Sequence, residues 1–191
     1  LQIAALDRFE IEGLGHNIDF VSAIMQHPRF RSGEITTGFI AEEYPDGFHG
    51  AASTPELIKS LAAIAGFVAT AEADRARHVD GQLGDTLDPP SSWQVKIGDA
   101  VHDIEMVDGD IRVDGEPFDL SMEYDSGDRL IEAEIGDEEL AVKILKTRIG
   151  FKLTTRGASH TARVLPGHIA HLAGHMIEKI PPDLSKFLIC P

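Results

Sequence analysis

The sequence predicts an α+β fold in which one long central helix is wrapped by an antiparallel β-barrel of about eight strands. Residues 55 to about 78 place apolar side chains around most of a helical circumference, so this helix needs burial on nearly all sides. From Trp93 to Leu165 the apolar spacing shortens to two, the pattern of strands with one buried face. Turn pairs interrupt that region every 6 to 14 residues, which is the rhythm of a meander. A helix without an exposed face and a sheet without a partner satisfy each other if the sheet curls around the helix. Closure also removes sheet edges, which otherwise invite aggregation.

Bulk properties agree with a folded chain. The 191 residues carry 42% hydrophobic and 26% charged side chains, enough apolar content for a real core and unlike a disordered chain. With 17 Lys+Arg against 32 Asp+Glu, the formal charge is −15, which argues against nucleic acid or an anionic membrane surface as partner. No apolar run approaches the roughly 20 residues of a membrane span. The single Cys190 cannot form an internal disulfide or a thiolate cage, so a reducing compartment is expected. A start at Leu1 and an end at Cys190-Pro191 suggest a piece of a longer polypeptide.

Taken in chain order, residues 1 to about 10 and 18 to 27 have helical apolar spacing, separated by a break at Gly13 and Gly15, with Asn17 available to cap the second helix. His27-Pro28 ends that helix, because the residue before proline is pushed out of the α region. Residues 29 to 52 read as loop, one short strand at Ile35 to Ile40, and linker. Ser53-Thr54-Pro55-Glu56 is a strong helix start: Thr54 as cap, Pro55 at the first helical position, and Glu56 at the positive end of the dipole. Leu57, Ile58, Leu61, Ile64, Phe67 and Val68, with many alanines between them, supply the all-round apolar surface. A polar loop follows, 79 to 92. Strands then alternate with turns at Gly98-Asp99, Asp108-Gly109, Asp114-Gly115, Ser126-Gly127-Asp128, Gly136-Asp137, Gly150 and Gly157. Residues 99 to 139 hold 16 of the 32 acids against only Arg112 and Arg129, which makes the outside of that half strongly negative. A last short helix is expected over 166 to 177, stopped by Pro181-Pro182.

Candidate chemistry is sparse. His168, His171 and His175 share one helical face, but three ligands over two turns splay apart and no general-base Glu lies between them, so a surface or interface helix is the better reading. The run Asp108 to Gly115 superficially resembles a calcium loop, yet Arg112 and Val113 stand where an acid or Asn and a Gly are required, and two Asp-Gly hairpins explain it. Glu132 and Glu134 share a strand face that reads as solvated. Gly13-Leu14-Gly15 lacks the further residues of a phosphate loop, and no serine or cysteine has a nucleophile's neighbours. A binding or assembly role is therefore the default, with a small ligand-binding β-barrel as the alternative.

One stretch is recognisable. ALDRFEIEGLGHNIDFVSAIMQHPRFRSGEITTGFIAEEYPDGF, residues 4 to 48, resembles the end of a biotin carboxylase domain: a helix, (E/D)G-x-x-x-N, a second helix, H-P-x-F, and T-T-x-F-I/L. The variant FIAEEYPDGFHG is more similar to the biotin-containing α subunit of propionyl-CoA carboxylases than to acetyl-CoA carboxylase forms. In that family the next module is the BT domain, a long helix wrapped by an antiparallel barrel that tethers the biotin carboxylase half to the carboxyltransferase β subunit. The resemblance therefore implies a biotin carboxylase tail at 1–48, from an ATP-grasp domain, a BT domain at 49–180, and at 181–191 a linker toward a biotin carboxyl carrier domain.

The same resemblance implies biotin, ATP and Mg²⁺ as cofactors of the parent enzyme, with none bound by this segment alone. The biotin-accepting Ala-Met-Lys-Met is absent, as are the glycine-rich loop, the Mg²⁺-binding glutamates and the bicarbonate-binding arginine. Thr37, Gly38 and Phe39 match the strand that passes the adenine side of the ATP pocket, although Phe39 and Ile40 suit core positions better, since apolar strand residues usually pack. The loop 79 to 92 and the helix 166 to 177 are the candidates to meet the β subunit. Leu83 and Leu87 would suit anchors there, or burial against their own barrel, beside His168, His171 and His175. The implied partners are the β subunit and the carboxylase and carrier domains of the same chain, in a large hetero-oligomer, within a bacterial cytoplasm or a mitochondrial matrix.

Overall fold

The computed structural model describes residues 2–11 and 15–176. Its first part is a small helical lobe: α1 (Gln2–Arg8), α2 (Ile18–Gln26), α3 (Pro28–Ser32) and α4 (Phe39–Glu43). The strand expected at Ile35 to Ile40 is replaced by a turn and by α4. Among the described residues no neighbouring strand pairs with this stretch, and an isolated strand leaves its backbone unsatisfied. Arg29 instead grips Glu42 and Glu43 at 2.8 and 2.6 Å, which favours helix in the stretch that carries them. The third helix was unforeseen but has ordinary signals: Pro28 at its first position, the His27 ring accepting the Arg29 N–H at 3.3 Å, and a left-handed Gly33 at its end. Asn17 precedes α2 without a side-chain cap. Phe20 and Phe48 pack edge-on against Tyr44 and tilted against each other, with ring centroids 5.1 to 5.9 Å apart, and hold the lobe together.

The central helix α5 (Pro55–Ala76) begins as its sequence dictates, with Thr54 Oγ1 accepting the Leu57 N–H at 3.2 Å. It ends two residues before the expected position. Around it runs one antiparallel sheet: β1 (Ser92–Ile97), β2 (Ala100–Val107), β3 (Asp110–Val113), β4 (Glu116–Phe118), β5 (Leu120–Met122), β6 (Leu130–Ile135), β7 (Glu138–Thr147), β8 (Gly150–Thr155) and β9 (Ala158–Pro166). The spatial order is β4-β3-β2-β1-β9-β8-β7-β6-β5, so the two edge strands are consecutive in sequence. Only Asp119 separates them. The barrel is thus closed by a single interrupted strand, 116–122, whose first half pairs with β3 and second half with β6. Eight strands with one broken in two is how the expected count of about eight becomes nine.

Tight turns set the register. Asp108-Gly109, Asp114-Gly115 and Arg156-Gly157 all have positive φ at both residues, the type I′ geometry whose twist matches the strands it joins. With the register fixed, Val95, Ile104, Val113, Ile131, Val142 and Leu153 all point inward and are at most 1% exposed. They meet Leu61, Ala62, Ala63, Ile64, Ala65 and Val68 of α5, each 0% exposed. Phe67 is only half-buried. The interior that a ligand-binding barrel would need is filled by this helix.

Two polar contacts lock helix to wall. Trp93 Nε1 donates to Thr70 Oγ1 at 2.8 Å, and Thr70 donates to the Gly66 carbonyl at 3.0 Å. Further along α5, the Glu72 carboxylate accepts from Lys146 Nζ at 2.5 Å, Ser126 Oγ at 2.5 Å and Tyr124 OH at 3.0 Å. These donors, Lys146 first, hold its carboxyl down to about 2. A carboxyl depressed in the fold stabilises above its unfolded value, and that contribution is lost as the pH falls. We expect wild type to lose stability between about pH 5 and pH 2 partly through this group. Because Lys146 is well exposed and solvent screens the pair, Glu72→Gln should cost about 1–2 kcal/mol at pH 7 and flatten the acid limb, read from urea midpoints across pH.

The helical lobe docks on the outside of the barrel. The buried Asp7 carboxylate accepts the Arg156 N–H at 3.0 Å and the Ser22 hydroxyl at 3.4 Å, and its burial pushes its pKa up. Gly157, at φ +79°, lies so close to α2 that a Cβ would stand 2.5 Å from the Asp19 carbonyl oxygen. Arg8 pairs with Glu132, and Arg129 with Glu10 at 2.7 Å. The β8–β9 hairpin tip, with the outer side of β6 and β7, is therefore the seat of the lobe.

The last element, α6 (Gly167–Ala173), is shorter than the expected 166 to 177. Pro166 ends β9 in an extended conformation rather than opening the helix, and past Ala173 the chain continues as turns, with His175 and Met176 donating to carbonyls three residues back. Residue 177, Pro181-Pro182, the linker 181–191 and Cys190 lie outside the described residues, as do Gly13 and Leu14.

Candidate functional site

Two groups of residues singled out by the sequence come to very different places. Phe39 is 5% exposed, its ring edge-on to His27 at 5.1 Å and beneath the Arg29 guanidinium at 5.4 Å. It faces the core of its own lobe. Gly38 starts α4 and Thr37 stands exposed in the preceding turn, so the three do not converge on one surface.

The second group converges better. Loop 79–91 leaves α5 and is tied back to it by Arg77, which bonds Asp74 at 2.7 Å and the Leu87 carbonyl at 3.2 Å. Its apolar side chains do not turn inward: Leu83 is 105% exposed and Leu87 80%, with Val79 exposed as well. Burial against their own barrel, the other reading of the sequence, is not what they adopt. The loop ends at Ser92, the first residue of β1. There it meets α6, because Trp93 pairs with Pro166 and Gly167 sits so near that a Cβ would come 2.7 Å from Ser92 Oγ.

Helix α6 presents His168 and His171 outward, followed by His175 in the turn, and the last two rings stack edge-on at 5.4 Å. Interleaved with them are Ile169, Leu172 and Met176, three exposed apolar side chains that sequence reasoning had not named. Ile169 and Leu172 were legible as residues between the histidines, and Met176 as the one after the last. Among the described residues, no group of three His, Cys, Asp or Glu side chains is placed to hold a metal ion. What this end of the barrel exposes is apolar side chains on a short helix and on a loop joined to the barrel.

A profile of the propionyl-coenzyme A carboxylase BT domain matches residues 61–179, which takes in most of α5, the whole barrel and α6. The chain belongs to the propionyl-CoA carboxylase BT domain family. Relatives extend the likeness across the helical lobe as well. The propionyl-CoA carboxylase alpha chain of Ruegeria pomeroyi is 40% identical over 198 residues, covering 98% of this chain and 28% of the relative. The mitochondrial alpha chains of Caenorhabditis elegans and Homo sapiens are 28% and 27% identical, again over 98% of this chain. This BT chain spans 27 to 29% of the length of these alpha chains.

Proposed function

We propose that this segment is the assembly module of a biotin-dependent propionyl-CoA carboxylase α subunit, holding the biotin carboxylase half to a carboxyltransferase β subunit. The observation that carries the reading is a barrel filled by its own helix, in a BT-family chain, with exposed apolar side chains on loop 79–91 and on α6, two segments whose ends meet at Ser92 and Gly167. A filled barrel has no room for substrate, and the chemistry belongs elsewhere in the parent enzyme. That enzyme uses ATP with Mg²⁺ and bicarbonate to carboxylate biotin, then passes the carboxyl group to propionyl-CoA on the β subunit to give methylmalonyl-CoA. Residues 1–48 form the end of the carboxylase domain, 49–180 the BT domain, and 181–191 lead toward the carrier domain. Thr37 and Gly38 border the adenine side of the complete ATP site, while Phe39 is buried in its own lobe. The compartment is a bacterial cytoplasm or a mitochondrial matrix.

The tether makes a specific prediction. Leu83→Asp with Leu87→Asp, or Leu172→Asp alone, places a carboxylate where an apolar anchor should be buried. Each should weaken binding of a propionyl-CoA carboxylase β subunit by at least tenfold, about 1.4 kcal/mol, in a pull-down titration, with the thermal midpoint unchanged because these side chains touch little of their own fold. Wild-type affinity in both variants would remove the loop and α6 from the interface.

A further inference from the structure

Charge is divided across this barrel in a way visible only once the strands are in register. Residues 99–139, which run from the β1–β2 turn into the start of β7, hold 16 acids and two arginines. Residues 140–166, the rest of β7 with β8 and β9, hold six basic residues and no acid at all. Three of those six are engaged: Lys143 on the Phe9 carbonyl at 3.1 Å, Lys146 on Glu72, and Arg156 on Glu138 at 2.5 Å. Arg148, Lys152 and Arg163, with Lys96 of β1, have no carboxylate partner among the described residues.

Register brings these four together. Lys96 lies directly opposite Arg163 on the β1–β9 ladder, and both point outward, since Val95, Ile97, Ala162 and Val164 around them are buried. Arg163 in turn faces Gly150, which offers no side chain to cover it. One step along, Lys152 pairs with Thr161, placing it diagonal to Arg163, and Arg148 stands in the adjoining β7–β8 turn. Like charges directly opposite on a ladder destabilise a sheet. On the β2 side Asp103 stands diagonal to Lys96, but Arg163, Lys152 and Arg148 have no acid beside them on the ladders, so the strip stays locally cationic and a negatively charged partner would complement it. The strip lies beside the anchor surface: Arg163 is four residues before α6, about 13 Å along an extended strand.

We propose that the outer face of β1, β9 and β8, through Lys96, Arg148, Lys152 and Arg163, docks a carboxylate-rich surface of the same partner that loop 79–91 and α6 grip. This rests on the tethering role given above and adds the partner's chemistry: an apolar pocket bordered on one side by Asp and Glu. A compact carboxylate patch fits better than a long polyanion, which would also run over the 16 acids of the opposite wall.

The test is the association rate of this chain with a propionyl-CoA carboxylase β subunit at about 50 and 300 mM salt. The triple variant Lys96→Glu, Lys152→Glu, Arg163→Glu is compared with a charge-matched control, Arg31→Glu, Arg75→Glu, Arg112→Glu, drawn from exposed arginines elsewhere. We expect the triple variant to associate at least about tenfold more slowly at low salt, with a flattened salt dependence, and the control to change by less than about threefold. Lys96→Glu alone should leave the thermal midpoint unchanged or raise it, since it converts a like-charge pair into an opposite one, and this separates docking from folding. Equal effects of triple variant and control would reduce the strip to bulk charge and overturn the proposal. Binding unaffected by the triple variant would overturn it and leave the tether intact, whereas no wild-type association at low salt would overturn both. A single-stranded DNA 20-mer binding as well as the β subunit, and lost in the triple variant, would assign the strip to polyanions instead.

Discussion

Gly66→Ala, a change that ordinarily strengthens a helix, will weaken this one. In an exposed helix interior alanine is favoured over glycine by about 1 kcal/mol. Here a Cβ at position 66 would stand 2.6 Å from Ile104 Cγ2 and 2.9 Å from Ile104 Cβ. Ile104 is 0% exposed and β-branched, so it has little rotamer freedom with which to withdraw. The overlap must be relieved by moving β2 away from α5 or by displacing Gly66 itself, which carries the carbonyl that holds Thr70 and, through it, Trp93. We expect a net loss of about 1–3 kcal/mol for Gly66→Ala and more than about 3 kcal/mol for Gly66→Val, read from urea midpoints at constant m. In a domain of this size each kcal/mol lowers the melting midpoint by about 2–4 °C. A rise in midpoint for Gly66→Ala would mean that helix and wall are not in this close contact.

Ile64→Ala should be as damaging by the opposite route. Ile64 lies mid-helix with 0% exposure, where α5 meets the barrel wall. Removing its side chain leaves a void that close-packed β-strands cannot fully collapse, for a loss of about 2–5 kcal/mol. Phe67 is a weaker probe, because it is only half-buried. A loss below about 1 kcal/mol for Ile64→Ala would mean the barrel interior tolerates a cavity, the condition that a ligand-binding barrel requires.

The helix and its wrapping were legible because local and global signals agree there. Thr54-Pro55-Glu56 caps the helix regardless of context, and the all-round apolar surface admits no arrangement except enclosure. The Asp-Gly pairs announced their turns for the same reason. What was hidden depends on contacts far apart in sequence. Nothing near Ile35 states that no strand will pair with it, and Arg29 selects helix for Glu42 and Glu43 from 13 and 14 positions away. The closing strand breaks at Asp119 because its two halves serve neighbours on opposite edges of the sheet. The seat of the helical lobe joins Asp7 to Arg156 across 149 positions.

At the candidate site the sequence offered Leu83, Leu87 and the three histidines as surface features. Ile169, Leu172 and Met176 complete that surface, and their exposure follows from where α6 lies against β1 and β9, which spacing alone does not tell. The cationic strip is the clearest such case. Lys96 and Arg163 are 67 residues apart in the sequence and become direct neighbours only through the β1–β9 ladder.

Sedimentation velocity of this chain, alone and mixed with a propionyl-CoA carboxylase β subunit at moderate salt, tests the tether most directly. The chain should shift into the faster β-subunit boundary, and Leu83→Asp with Leu87→Asp, or Leu172→Asp, should return it to its own slow boundary without unfolding it. A chain that sediments alone beside the β subunit at tens of micromolar would contradict the tethering role.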